Sequence, residues 1–432
     1  MANLKITVIG AGSYVFGPSI LSQLLLDHKL SGIDLALVDI DAEMVELMAG
    51  VGRRMAEEMG LDVRISAHTE RAAALDGASY VVCSAARQMF QRFATDSAIA
   101  HKHDPSHIVT EFGGIAGIAY TLRQIALLEE IAADIRRHCP SALFLDSANP
   151  LPRVCQAAHE LGVRAVGFCA LGEITYGVLW QMTTGQPLEF PWKEAHERWT
   201  ITMGGTNHFT WVTEIVDNAT GSGVLAQLLG QIAAGALPTA PVATRLLRQT
   251  GSLLVPVDNH TADFLTPTAD TPNRAEAGHG TADQRRQRLE LLAAIGSGQA
   301  GWGPLLEKPS WERPGDLIAA LSFGRPARFH SLNLINDGQL PQLRRNVFVE
   351  TPALVDATGI HPRHVELPPA AAALTQRVAL VHDTVVAAGL RHSRSLAHAA
   401  VELDPTVTDK AAGSAALDEC MQAHADILPA YA

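Results

Sequence analysis

Cys169 and His208 are the residues of this chain whose side chains most suit metal chemistry. Cys169 ends the apolar segment VRAVGFC, and His208 lies in the segment GTNHFTW. A thiolate and an imidazole are donors that suit a divalent transition metal. Two protein ligands are too few for a closed structural site, so positions stay open for water and substrate hydroxyls. Taken singly, Cys169 also suits a buried apolar position and His208 a structural one.

The start of the chain has the glycine spacing of a dinucleotide site. Gly10 and Gly12 follow the apolar segment KITVIG and precede an apolar helix. Glycines at such a turn let the backbone approach a pyrophosphate at a helix N-terminus. A third glycine would normally fall at Val15, whereas here the next one is Gly17. The motif is therefore a variant, and a tight turn in another α/β fold is its alternative interpretation.

An acidic residue follows the second predicted strand, where a dinucleotide site needs one. Asp39 ends the segment DLALVD and is placed to accept a hydrogen bond from a ribose hydroxyl, which favours NAD over its 2′-phosphorylated relative. The remaining candidates for cofactor contacts lie in the first turn or at the carboxyl ends of later strands: Ser13, Phe16, Ser84 and Asn149.

Short apolar runs alternate with amphipathic ones in the first part of the chain, which predicts a parallel sheet covered by helices. The predicted strands are residues 5–10, 34–39, 80–85, 142–147 and 163–169, and the predicted helices are residues 18–30, 42–59 and 115–138. Further strands are expected at residues 199–203 and 211–216. The predicted fold class is α/β, an N-terminal Rossmann-like doubly wound sheet with a second, mixed α+β domain.

Length and composition agree with two packed domains. The chain has 432 residues, whereas one domain usually has about 100 to 200. We place the boundary near residue 190, with a dinucleotide-binding domain at residues 1–190 and a substrate domain at 191–432. The segment 266–280, rich in Thr, Pro, Asp and Gly, is predicted to be a loop or a lid.

Charge, cysteine content and the distribution of apolar residues argue against several classes of protein. The net charge of −12 opposes nucleic-acid binding, and arginine pairs such as Arg344-Arg345 do not form a basic run. The N-terminus shows no secretion signal, and no long uncharged apolar stretch predicts a membrane span. Five scattered cysteines do not suggest a disulfide framework. We expect a cytoplasmic homo-oligomer, a dimer or tetramer, with a small-molecule substrate.

Motifs along nearly the whole chain resemble the NAD- and manganese-dependent glycosidases, family 4 of the glycoside hydrolases, and the related NAD-dependent sulfoquinovosidases. Their order and spacing make the resemblance specific. The motifs are GAGSYVFGP at 10–18, TEFGGIAGIAYTLRQI at 110–125, SANP at 147–150, GFC at 167–169, GTNHFTW at 205–211, NLINDGQLPQL at 333–343 and VETPALVDATGIHP at 349–362.

The resemblance implies glycoside cleavage by transient oxidation, an exception to the paired-carboxylate mechanism. Bound NAD takes the hydride from C3 of the sugar, and the metal polarises the resulting ketone, which acidifies the proton on C2. A base removes that proton, the aglycone leaves, water adds and the hydride returns. NAD is recycled in each turnover.

Positions that match the family motifs receive roles by resemblance. Cys169 and His208 would hold the metal, and Asn149 would hold sugar hydroxyls. Glu111 and the glycines Gly113-Gly114 would lie against substrate and nicotinamide, and Asn207 is a further substrate contact.

Two departures from the family pattern concern the acid and the base. Many members have a His or Asp directly after the metal-binding cysteine, where this chain has Ala170, so Glu173 is the nearest candidate for the leaving-group acid. The tyrosine that serves as base in phosphosugar-specific members is absent from residues 255–267. His260 is our first candidate for the base, because the intrinsic pKa of an imidazole lies near neutrality, and Asp263 is the second. A simple loop turn at residues 258–260 is the alternative interpretation.

These departures favour an anionic hexoside over a phosphoglycoside. A carboxylate or sulfonate at C6 needs cationic or amide donors. Candidates near the predicted cleft are Arg87, Gln88, Arg92 and Arg153. Each arginine could instead be an ordinary surface charge. Ala170 departs from the uronidase-like pattern, which favours the sulfosugar over the uronic acid.

Two other functions remain open at this point. A 2-hydroxy acid dehydrogenase shares the Rossmann start and needs a histidine in its second domain, but it has no use for a metal at Cys169. A non-catalytic NAD-binding protein would bind the cofactor and leave glycosides intact.

Overall fold

The computed structural model describes residues 4–187, 192–237, 239–272, 282–306 and 312–431. The segment predicted as a loop has no regular secondary structure from residue 266 to residue 272, and residues 273–280 lie outside the described residues.

Six parallel strands form the N-terminal part of the sheet: β1 (Leu4–Ile9), β2 (Ile33–Val38), β3 (Val63–His68), β4 (Tyr80–Cys83), β5 (Leu143–Asp146) and β6 (Arg164–Gly167). They lie in the order β3-β2-β1-β4-β5-β6, the order of a doubly wound dinucleotide-binding sheet. The predicted Rossmann-like sheet is confirmed. The prediction missed β3, an edge strand in which Ile65 is the one buried residue, so that its sequence lacks a continuous apolar run.

Helices connect these strands: α1 (Phe16–Leu21), which continues as a π-helix (Ser22–Asp27), α2 (Ala42–Glu58), α3 (Arg71–Leu75), α4 (Met89–His103), α5 (Gly114–His138) and α6 (Leu151–Glu160). The side chain of Asp41 caps α2 by accepting from the N–H groups of Glu43 and Met44. Helix α5 is buried along most of its length, and the N–H of Gly114 at its start donates to Asp404 Oδ2 over 2.9 Å.

The remaining elements extend the same sheet and cover it. In chain order they are α7 (Leu171–Thr184), α8 (Lys193–Arg198), β7 (Trp199–Thr206), β8 (Phe209–Asp217), β9 (Ser222–Gly223), α9 (Leu225–Ala233), α10 (Pro241–Thr250), β10 (Leu253–Leu254), α11 (Asp258–Thr261), a 3₁₀ turn (Ala262–Phe264), α12 (Ala282–Gly296), α13 (Gly303–Leu306), α14 (Pro314–Phe323), β11 (Ala327–Ile335), β12 (Phe348–Asp356), β13 (Gly359–Pro362), α15 (Pro369–Leu390), α16 (Arg394–Leu403) and α17 (Lys410–Ala423). The predicted strands at 199–203 and 211–216 lie within β7 and β8.

The sheet changes from parallel to antiparallel at β6 and then runs β6-β11-β12-β7-β8-β10. Two of its junctions are narrow. Asn333 and Gly167 are the one residue pair in register between β11 and β6, and Glu350 and Gly205 are the one pair between β12 and β7. Cys169 and His208 each follow one of these junctions within three residues, so the two junctions position both predicted ligands.

The C-terminal helices pack back on the N-terminal half. Helix α15 contacts α5 and α6, and α17 contacts α4 and α5. Helices α12 and α14 contribute Leu292, Ile295 and Leu317 to the core that contains β1 and β2. The division at residue 190 therefore stays a prediction. Among the described residues, the helices lack the combination of length and hydrophobicity that a membrane span requires.

Candidate active site

At Gly12 and Gly17 the turn after β1 needs glycine for close packing, whereas Gly10 has a φ of 83°, in the left-handed region. A Cβ on Gly12 would lie 2.7 Å from Cγ of Asp39, and a Cβ on Gly17 would lie 2.3 Å from the carbonyl oxygen of Ala11. Steric repulsion keeps a real Cβ farther than this from other heavy atoms. Gly17 thus brings helix α1 against the turn, which is the work of the third glycine in a dinucleotide fingerprint. Val15 occupies the usual position of that glycine and is 62 % exposed.

Asp39 lies at the carboxyl edge of the sheet and is held by the same turn. Its Oδ2 accepts from the N–H of Gly12 over 2.9 Å, and its Oδ1 accepts from the N–H of Asp41 over 3.1 Å. The next residue, Ile40, is 93 % exposed. A fixed carboxylate beside an exposed apolar side chain offers a hydrogen-bond acceptor and a flat contact surface side by side.

The other predicted cofactor contacts lie around this turn. Ser13 Oγ accepts from the N–H of Phe16 over 3.1 Å and so closes the turn before α1. The Phe16 side chain is buried in the core of the N-terminal half. Ser84 follows β4, and its N–H donates to the carbonyl of Ile9 over 3.2 Å.

Asn149 and Glu111 meet beyond the carboxyl end of β5. Asn149 Nδ2 donates to Glu111 Oε1 over 2.8 Å. The N–H groups of Glu111 and Phe112 both donate to Oδ2 of Asp263, each over 3.2 Å. The Asp263 side chain is buried, so it fastens the segment before α5 to the 3₁₀ turn. Three of the predicted site residues are therefore in direct contact.

His208 occupies the tight turn between β7 and β8 with a φ of 65°, in the left-handed region. Few residues other than glycine adopt this conformation, and it directs the imidazole toward the residues that precede α5. The ring centroid of His208 lies 4.5 Å from that of Phe112 and 4.3 Å from that of His260. The predicted metal ligand and the predicted base are thus neighbours, although 52 positions (260 minus 208) separate them in the chain.

Cys169 lies at the junction of β6 and β11. Burial raises the pKa of its thiol, the charge of Glu350 raises it further, and a hydrogen bond with Asn207 lowers it. Asn207 immediately precedes His208, so it links the two predicted ligands. The raised pKa keeps the proton on sulfur at neutral pH unless a cation displaces it.

The donors at this junction fit a divalent transition metal. Asn207 Oδ1 is buried and makes no hydrogen bond to the part of the chain that the structure describes. A thiol, an imidazole and an amide oxygen are a set of donors that such an ion accepts, and three protein donors leave positions open. Cys169, Asn207 and His208 would hold it.

Glu350 is a buried acid that sequence reasoning missed. Its Oε2 accepts from Thr210 Oγ1 over 2.5 Å, and its Oε1 accepts from the amides of Asn207 and Asn333 over 3.3 and 3.4 Å. Burial raises the pKa of its carboxyl, and these hydrogen bonds lower it. Glu350 therefore orients Asn207. Its signal in the sequence is an acid near the start of the strand segment VETPALVD, which ends in a second acid, Asp356.

Glu173 lines a pocket whose wall also contains Cys169, Arg328 and His330. Glu173 Oε2 is 3.1 Å from His196 Nε2, and its Oε1 is 3.6 Å from His330 Nε2. Burial lowers the pKa of His330, although the charge of Glu173 opposes that effect. Neither histidine was among the predicted site residues.

Arg87 and Arg92, two of the predicted anion contacts, already have acidic partners. Arg87 pairs with Glu130 over 2.7 Å, and Arg92 pairs with Asp426 over 2.6 Å. Gln88 precedes α4 with a φ of 49°, and its Oε1 accepts from Arg92 Nε over 3.1 Å.

Arg153, the third predicted arginine, is fully buried. It donates to His382 Nδ1, to Thr121 Oγ1 and to the carbonyl of Gly117, so it joins helices α5, α6 and α15. The structure does not bring Arg87, Arg92 and Arg153 together.

Comparison with known proteins identifies relatives over the full chain. The family model described as Family 4 glycosyl hydrolase matches residues 5–184, and the model of that family's C-terminal domain matches residues 203–407. The chain is 27 % identical to an alpha-galactosidase of Rhizobium meliloti over all of this chain and 90 % of that protein. It is 26 % identical to an alpha-galacturonidase of Bacillus subtilis, over 94 % of this chain and 93 % of that protein.

A solved structure of similar fold is a 6-phospho-alpha-glucosidase from gut microorganisms in complex with NAD and Mn²⁺. The two chains superpose with a TM-score of 0.75 at 18 % identity, over 98 % of this chain and 99 % of the other. At this identity the likeness shows the fold.

Proposed function

We propose that this chain, which belongs to family 4 of the glycosyl hydrolases, is an NAD-dependent glycosidase that cleaves the α-glycoside of an anionic hexose, a hexuronide or a sulfoquinovoside. The observation that carries the proposal is the contact between His208 and His260, whose ring centroids are 4.3 Å apart. With His260 as the proton acceptor and His208 as a metal ligand, this contact would bring the base next to the metal.

The first turn and the sheet edge support NAD as the cofactor. Gly12 and Gly17 allow a close approach of the backbone, Asp39 offers a carboxylate, and Ile40 offers exposed apolar surface. Manganese is supported by the donors at Cys169, Asn207 and His208. The similar solved structure contains both groups. When bound, NAD would accept the hydride from C3 of the sugar and the metal would polarise the oxygen there.

Side chains of this protein would orient the sugar and move its proton. Asn149 and Glu111, joined by their 2.8 Å hydrogen bond, offer an amide and a carboxylate to sugar hydroxyls. His260 would accept the C2 proton at an imidazole nitrogen, because it is partly exposed and lies against His208. Asp263 would hold the segment of Glu111 in place, since two backbone N–H groups already donate to its Oδ2.

Arg328 supports an anionic substrate. It lies on β11, is exposed, and lines the pocket that contains Cys169. Within the described ranges no acidic side chain forms an ion pair with it, in contrast to Arg313 on the same wall, which pairs with Asp316 and Asp27. A guanidinium that still has its donors available can bind a carboxylate or a sulfonate through two parallel hydrogen bonds. The relative named alpha-galacturonidase also supports an anionic sugar.

The test is a substrate panel with NAD and Mn²⁺ supplied. We expect kcat/KM for nitrophenyl α-galacturonide or α-sulfoquinovoside to exceed that for the neutral α-glucoside and α-galactoside by about tenfold or more, since one charge-assisted hydrogen bond contributes about 1.5–3 kcal/mol. Arg328→Ala should remove most of that difference, whereas Arg345→Ala, a surface arginine paired with Asp337, should leave it unchanged. Equal activity on neutral glycosides would refute the substrate class. Stoichiometric NADH would instead favour a dehydrogenase.

A further inference from the structure

We infer that Glu173, His196 and His330 form a second site for a divalent transition metal, separate from the donors at Cys169, Asn207 and His208. The inference depends only on the geometry of these three side chains and holds whatever substrate the protein takes.

Three distant elements bring the side chains together. Glu173 lies in the first turn of α7, His196 lies in α8 and His330 lies in β11. Their ligand atoms all lie within 4.8 Å of one another. Two imidazoles and one carboxylate are the donor set of many catalytic zinc sites and of mononuclear iron sites.

Two separations, each to a different oxygen of the Glu173 carboxylate, are close to those of ligands around one ion. Zinc binds imidazole nitrogen at about 2.0–2.1 Å and carboxylate oxygen at about 2.0–2.2 Å, so ligand atoms at the corners of a tetrahedron lie about 3.2–3.6 Å apart. The observed separations are 3.1 Å between Glu173 Oε2 and His196 Nε2 and 3.6 Å between Glu173 Oε1 and His330 Nε2.

The contact between His196 and Glu173 is not a hydrogen bond. His196 Nε2 is buried, and the described part of the chain offers it no hydrogen-bond partner, although the Glu173 oxygen is only 3.1 Å away. At that distance the angle at nitrogen must be unfavourable. Two ligands of one metal ion have the same arrangement: their donor atoms lie close together, but they point at the ion and not at each other.

Ring packing fixes both imidazoles and disfavours charging them. The rings of His196 and His330 stack with centroids 4.6 Å apart, so two imidazolium charges there would repel each other. Tyr176 packs against both rings, at 4.4 and 4.5 Å, and its hydroxyl accepts from the N–H of Ile201 over 3.0 Å. Because both imidazoles are held in position and stay neutral, they can bind a metal ion with little further loss of conformational entropy.

The site is open to solvent, and both acidic and basic side chains lie near it. Glu173 and His330 line a pocket that opens to solvent, so water can occupy the remaining coordination positions. The same wall carries the acidic residues Glu312 and Asp316 as well as Arg313 and Arg328. The positive charge of the arginines is therefore offset when a cation enters.

The test measures metal binding and not activity. After removal of metals by a chelator, the full-length protein is titrated with Zn²⁺ and, separately, with Co²⁺, whose visible absorption reports its ligands. We expect the wild type to bind cobalt at both sites, and Cys169→Ser to keep a cobalt spectrum free of thiolate character that arises from the second site alone. Glu173→Gln, His196→Ala and His330→Ala should each weaken Zn²⁺ binding at that site by about tenfold or more. Cys169→Ser should retain it.

The control is His361→Ala, which removes an exposed histidine that also contacts an acid, Asp356. It should bind Zn²⁺ as the wild type does. Circular dichroism checks that each variant is folded. If either histidine variant unfolds, Glu173→Gln still tests the site, because it keeps the size of the side chain. Equal Zn²⁺ affinity and stoichiometry in the wild type and in folded Glu173→Gln would overturn the inference. So would a wild-type protein whose Zn²⁺ binding is entirely lost in Cys169→Ser.

Discussion

The glycines of the dinucleotide turn lie close together in the sequence, whereas the cluster around His208 and His260 draws on segments far apart in the chain. In the turn, Gly12 and Gly17 act by lacking a side chain, and Asp39 arrives on the adjacent strand. In the cluster the groups act through their side chains, and buried acids hold the nearby segments: Asp263 accepts from the N–H of Glu111, and Glu350 accepts from Thr210 Oγ1. The turn should therefore be sensitive to added atoms, and the cluster to removed ones.

The largest effect is expected from removal of the imidazole at His260. His260→Ala should lower kcat by about 10²- to 10⁴-fold, the usual contribution of a general base, with little change in stability because the side chain is partly exposed. Exchange of a C2 deuterium with solvent should fall in parallel. Asn259→Ala, at the exposed neighbouring position, is the matched control and should keep both. Turnover with the C2 label fully retained by the wild type would contradict this role.

An intermediate effect is expected from one added methyl group in the turn. In Gly17→Ala the new Cβ meets the backbone oxygen of Ala11, so the free energy of unfolding should fall by about 1–3 kcal/mol and NAD should bind more weakly. Gly50→Ala, where the new Cβ would meet nothing within 4 Å in helix α2, should raise stability by about 0.5–1 kcal/mol and leave NAD binding unchanged. Urea unfolding and calorimetry with NAD compare the two. Equal effects would show that close packing is not what the turn requires.

The smallest effect concerns a carboxyl near the Cys169 pocket. Burial raises the pKa of Glu312 from 4.5 to about 7. Because the folded protein then holds this proton more tightly than the unfolded chain, the free energy of unfolding should fall as the pH rises from 4.5 to about 7. Glu312→Gln should remove a part of that decline on the order of 1 kcal/mol.

Glu366→Gln, at an exposed position, serves as the control for Glu312 and should leave the decline as in the wild type. Urea unfolding at about pH 5 and about pH 7 measures it. A decline of the same size in Glu312→Gln would show that the carboxyl does not titrate in this range.

The sequence by itself determined the parallel half of the fold and the family. Buried parallel strands are continuous apolar runs, and the first turn is a local motif, so neighbouring residues suffice to predict both. The order of motifs along the chain indicated family 4 of the glycosyl hydrolases, and the family models confirm that. The positions of Cys169 and His208 as metal ligands stay predictions, although the structure brings both to the same part of the sheet.

Only the tertiary structure decided which distant side chains meet. The contact of His208 with His260, the burial of Glu350 beside Asn207, and the approach of His196 and His330 to Glu173 depend on strand junctions that no local pattern records. The same holds for Arg87, Arg92 and Arg153, whose sequence positions near the cleft did not reveal their partners in the fold. The chemistry of a side chain follows from its residue type and can be read from the sequence. Which segments lie next to each other depends on how the strands and helices pack in the folded protein.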